Sequence, residues 1–98
     1  MYNLTENAYR SLAEELLSAL DYPCYFSGAV TISLGDVDIR LVASLFIHRN
    51  VPTPFSDDTD FITRIIPVWW DCIVTDSEGE EVENNFDFKE FTKWVKAL

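Results

Sequence analysis

The run Ile65-Ile66-Pro67-Val68-Trp69-Trp70-Asp71-Cys72-Ile73-Val74 is apolar at all but one of its positions. β-Branched and aromatic residues dominate it, which favours a strand. Neighbouring side chains on a strand point to opposite faces of the sheet. Trp69 and Trp70 therefore cannot share one core. A fold that covers one face of its sheet leaves one of the two indoles looking for cover elsewhere.

Helices bracket this strand at both ends of the chain. Asn3 and Glu6 fit a capping box, with Thr5 as the alternative cap. Tyr9, Leu12, Ala13, Leu16, Leu17 and Leu20 then follow a 3.6-residue period and form one apolar stripe. Asp21-Tyr22-Pro23 ends the helix, because the residue before proline avoids helical geometry. At the other end Asp87 and Glu90 form a cap-and-return pair, and Phe88, Phe91, Trp94, Val95 and Leu98 make the buried stripe.

Between the helices the period is two. A first strand runs from about Tyr25 to Leu34, and Gly35-Asp36 is a two-residue hairpin loop. A second strand runs from Val37 to about Arg49, with apolar residues at every odd position from Val37 to Ile47. A loop over residues 50–60 contains Pro52 and Pro54. The third strand covers about Phe61 to Thr75, and Asp76-Ser77-Glu78-Gly79 turns into a short fourth strand near Glu80 to Asn84.

The order α-β-β-β-β-α with short connections predicts a single α+β domain over residues 1–98. It is an antiparallel β-meander with both helices on one face. Simple alternation puts Ile66, Val68, Trp70 and Cys72 under the helices. The helix-free face then presents Tyr25, Arg40, Val42, Phe46, Ile65, Trp69, Asp71 and Ile73. Pro67 has no N–H for a ladder and belongs at a bulge or an unpaired margin. A bulge there would reverse the faces downstream of it, exchanging Trp69 and Trp70.

An open antiparallel face normally reads polar. Apolar residues with a polar rim are the mark of an interaction surface. Those eight residues are the predicted contact surface, for a second copy of the chain or for another protein. Val51 and Phe55 of the long loop are the intramolecular alternative for covering it.

Composition narrows the function classes. Seventeen acidic residues against seven basic ones give a net charge of −10. That field repels phosphate backbones and anionic membranes, so neither direct nucleic-acid binding nor membrane association is expected. Cys24 and Cys72 show no metal-ligand spacing. The start of the chain lacks a signal-peptide pattern, so the expected compartment is the cytoplasm.

The run Asp76, Glu78, Glu80, Glu81, Glu83 fails the calcium-loop pattern, because glycine falls at the fourth position and not the sixth. Asp57, Asp58 and Asp60 have no second ligand cluster beside them. His48, the one histidine, falls on the opposite sheet face from Cys72, so a thiol–imidazole pair is not formed. No catalytic residue, cofactor or metal site is expected. The sequence thus predicts a non-catalytic interaction domain, homodimeric or docking a partner. The alternative is an acidic polyanion mimic that occupies a basic protein groove, and the third is an enzyme with an unrecognised site.

Overall fold

A computed structural model describes residues 1–20, 24–50 and 61–97. The elements are α1 (Glu6–Ala19), β1 (Tyr25–Leu34), β2 (Val37–Asn50), β3 (Phe61–Thr75), β4 (Glu81–Val82) and α2 (Phe88–Ala97). The four strands form one antiparallel sheet in the order β1-β2-β3-β4, and the expected α+β meander is the fold. Residues 21–23, the loop with Val51, Phe55 and the three aspartates, and Leu98 lie outside the described residues.

α1 begins at Thr5 and not at Asn3. The Thr5 hydroxyl accepts the Ala8 N–H at 3.2 Å, a cap that stabilises a helix by about 1 kcal/mol. Leu4 N–H meanwhile donates to the Asn85 side chain at 2.7 Å, so the residues before the helix are tied to the far end of the chain. Ala8, Tyr9, Leu12, Ala13 and Leu16 are buried as the stripe requires.

β2 is the centre of the sheet, and its alternation is complete. Ile39, Leu41, Ala43, Leu45 and Ile47 are buried under the helices, while Asp38, Arg40, Phe46 and His48 are exposed on the other face. Each fully buried Ile or Leu contributes ~1.5–3 kcal/mol. Its pairing with β1 is continuous from Tyr25–Phe46 to Leu34–Val37. Gly35 holds the hairpin at φ 61°, a conformation glycine takes without strain.

The pairing of β2 with β3 is not continuous, and this corrects the expected faces. Ser44 lies opposite Trp69 but Leu45 lies opposite Pro67, so Val68 is an unpaired bulge. A second shift falls between His48 and Arg49. One extra residue inverts the side-chain alternation on one side of it. Here the inversion affects the residues before the bulge. Trp69, Asp71 and Ile73 stay on the open face, and Trp70, Cys72 and Val74 stay on the helix side. Ile65 is instead opposite Ile47 and buried at 9% exposure. Its expected place on the open face is taken by Ile66, opposite Phe46. Val68 is expelled, not buried, at 59% exposure.

Pro67 sits where its missing N–H costs nothing in the ladder. The Ile47 N–H donates to the Cys24 carbonyl at 2.8 Å, so the odd residues of β2 direct their backbone groups to β1. Antiparallel ladders alternate, so the residue opposite Leu45 turns its backbone away from β2. β4 pairs only with Val74 and Thr75, which leaves that margin without a strand.

β4 is shorter than the sequence suggests, and side chains extend its role. The Asn84 amide donates to the Cys72 carbonyl at 3.0 Å, and its oxygen accepts the Phe86 N–H at 3.0 Å. Tyr2 bridges the same segment, its N–H donating to the Glu83 carbonyl at 2.7 Å and its carbonyl accepting the Asn85 N–H at 3.1 Å. The Asp87 carboxylate then caps α2 by accepting the Lys89 N–H at 2.9 Å. Glu90 lies 3.8 Å from the Lys93 ammonium.

Beneath α2, Trp70 stacks on Phe88 (5.6 Å, 16°) and meets Phe86 (5.2 Å, 57°). Phe86 also touches Tyr9 and Phe91. Aromatic pairs of this kind contribute about 0.5–1.5 kcal/mol beyond their burial. This cluster joins both helices to β3.

Candidate interaction face

The helix-free face is built from alternate residues of three strands. β1 gives Tyr25, Ser27, Ala29, Thr31 and Ser33. β2 gives Asp38, Arg40, Val42, Ser44, Phe46 and His48, and β3 gives Arg64, Ile66, Trp69, Asp71 and Ile73. Seven of the eight expected contact residues occupy it, and Ile65 does not.

Its centre is apolar and uncovered among the described residues. Phe46 is 50% exposed and Trp69 51% exposed. Tyr25 leans on Phe46 with ring centroids 5.3 Å apart, and Val42 and Ile73 are half-buried beside Asp71 and Arg40. Aromatic side chains have only two torsions to fix, so little side-chain entropy is lost when a second surface covers them.

The polar fringe is ordered within the sheet. The Ser27 and Ser44 hydroxyls are 3.0 Å apart, and the Ser33 hydroxyl donates to the Asp38 carboxylate at 2.6 Å. Asp38 and Asp71 set two negative charges against the positive charges of Arg40 and Arg64. The face is close to neutral on a chain of net charge −10. Four of the seventeen acidic residues, Glu78, Glu80, Glu81 and Glu83, are exposed at the β3–β4 connection instead.

Ile66 and Arg64 are the residues that simple alternation misplaces or leaves out. The sole signal for them is Pro67, which marks an irregularity without saying which side of it inverts.

Cys72 and His48 lie apart from one another. Cys72 is buried on the helix side, opposite Leu41, and His48 is exposed on the other face opposite Arg64. Burial, and secondarily the Asp71 carboxylate, pushes the Cys72 thiol up to about 12, which keeps it protonated and a poor nucleophile. Cys24 is exposed, and both cysteines are free thiols.

The Asp76 carboxylate is taken by its own turn, accepting the Glu78 N–H at 2.9 Å and the Glu80 N–H at 3.0 Å. Among the described residues no three His, Cys, Asp or Glu side chains converge to hold a metal ion. No described helix is long and apolar enough to cross a membrane. A shallow groove on α2, lined by Glu90, Lys93, Trp94 and Ala97, is remote from the open face. No family model, curated protein or solved structure matches the chain.

Proposed function

We propose that this protein is a non-catalytic interaction domain that docks a protein surface through its helix-free sheet face. The observation that carries this reading is the half-exposed pair Phe46 and Trp69 on that face. Tyr25, Val42, Ile66 and Ile73 extend the apolar area, and Arg40, Arg64, Asp38 and Asp71 rim it. Tryptophan, tyrosine and arginine are the residue types that dominate interface energetics when desolvated. Both charge signs at the rim select a partner with an apolar centre and a rim of both signs. Two free thiols suit a reducing compartment, and the reading takes the cytoplasm as its setting.

The test is affinity capture from the native host with wild-type protein and with Trp69→Asp, each washed at low and high salt. A partner retained at high salt by the wild type and lost by the variant supports docking on the apolar face. Equal retention by both proteins rejects it. Retention that salt abolishes favours the polyanion-mimic reading, in which the hairpin carboxylates make the contact.

A further inference from the structure

The sheet has two outer margins, and they are protected very differently. On the β3 side Pro67 and the Val68 bulge interrupt the margin, and Asn84 covers the carbonyl of Cys72. Proline and bulges are the devices by which proteins keep open edges from pairing. β1 has none of them. Its sequence, Tyr25-Phe26-Ser27-Gly28-Ala29-Val30-Thr31-Ile32-Ser33-Leu34, contains no charge and no proline. Its register with β2 runs without a shift. An uncharged edge of this length stands out on a chain that carries −10 overall.

The hydrogen-bond parity of β1 is fixed by the Cys24–Ile47 bond described above. Even-numbered residues of β1 bond to β2, so Tyr25, Ser27, Ala29, Thr31 and Ser33 turn their N–H and C=O groups outward. Among the described residues no strand pairs with them. The middle of the edge is also its least bulky part. Gly28 has φ 153°, where side chains are rarely found, and Gly28 and Ala29 are both exposed.

We infer that the β1 edge joins two copies of this chain, antiparallel, about a two-fold axis at Ala29. In that register Ala29 faces its own counterpart, Ser27 faces Thr31, and Tyr25 faces Ser33. Every outward donor then meets an outward acceptor, forming about ten main-chain hydrogen bonds. A two-fold contact uses the same patch on both copies, and this edge is self-complementary in that sense. No like charges meet at the seam. The axis runs perpendicular to the sheet, so both pairs of helices lie on one side. The two open faces lie side by side on the other and offer one enlarged docking surface. The contact does not depend on Trp69 and stands or falls separately from docking on the open face.

The experiment is sedimentation at micromolar concentration of wild type, Ala29→Lys, Thr31→Pro and Trp69→Asp, with amide hydrogen exchange on the wild type. Ala29→Lys puts two ammonium groups on the axis, and Thr31→Pro removes an outward N–H without touching the β1–β2 ladder. A wild-type and Trp69→Asp dimer, with both edge variants monomeric, is the expected result. Protection of the Ser27, Ala29 and Thr31 amides should rise with protein concentration, a readout that holds if an edge variant fails to fold. A monomeric wild type with unprotected outward amides overturns the inference. A dimer that survives both edge changes but is lost in Trp69→Asp overturns it too, and assigns self-association to the open face.

Discussion

Ser44 of β2 stands opposite Trp69 of β3, while the next residue of β2 stands opposite Pro67. That single relationship settles which face of the sheet each of two adjacent tryptophans takes, Trp69 at 51% and Trp70 at 38% exposure. Trp69 shares the side of Ser44 and Phe46. Trp70 shares the side of Ala43 and reaches Phe86 and Phe88 beneath α2. Val68, the residue left over, absorbs the mismatch.

Deleting Val68 should therefore be tolerated. Without it, Pro67 directly precedes Trp69 in regular alternation, still opposite Leu45, and the faces on both sides are kept. The expected cost is below about 1 kcal/mol, the loss of local twist and little else. Deleting Ile73, at an in-register position, turns Asp71 toward the core and should cost more than about 3 kcal/mol. Urea unfolding of the two deletions checks this. Equal destabilisation would mean that the extra residue is not at position 68.

Asn84→Ala should destabilise by about 1–3 kcal/mol. It removes two hydrogen bonds at the β3 margin and leaves the Cys72 carbonyl and the Phe86 N–H without those partners. Asn84→Asp keeps the acceptor for Phe86 but loses the donor to Cys72, so it should fall between wild type and Asn84→Ala. Thermal or urea denaturation gives the order, and an alanine variant as stable as wild type contradicts the role given to this side chain.

Stability should fall on the alkaline side. The Cys72 thiol is pushed up from 9.0 to about 12, chiefly by burial. The unfolded chain loses this proton near pH 9 while the folded protein keeps it, so the unfolded state binds fewer protons across that interval. Stability is then complete below about pH 9 and declines as pH rises toward about 12. Tyr9, whose pKa is also raised by burial, acts in the same direction. Cys72→Ala should have a visibly shallower alkaline slope in a pH series of urea unfolding. An unchanged slope would exclude the thiol as its source.

Much of this fold is legible in the residues. The stripe of α1, the unbroken odd-position alternation of β2 and the Gly35-Asp36 hairpin each combine a period with a terminator, and each element stands where those signals place it. The elements read less well are the ones governed by pairing between strands. Ile65 and Ile66 are chemically identical, so nothing local says which faces the core. The choice depends on Val68 failing to find a partner on β2, a property of register between distant residues. The α1 cap went to Thr5 because the chain before it is drawn to Asn85, eighty-one positions away in sequence. Similarly, Asn84 carries on the work of β4 with a side chain, which no strand-forming pattern records. On the open face, seven of the eight expected residues depend only on alternation within a regular stretch, and those are in place. The eighth lies beyond the bulge.

Aspartate substitutions at positions 69 and 70, compared by urea unfolding, test the opposed placement of the two indoles most directly. Trp69→Asp should stay within about 1 kcal/mol of wild type, since its side chain meets solvent on the open face. Trp70→Asp should lose more, about 1–3 kcal/mol, since Trp70 is 38% exposed but packs its ring on Phe86 and Phe88. Equal losses, or a stable Trp70→Asp beside an unfolded Trp69→Asp, would contradict the account.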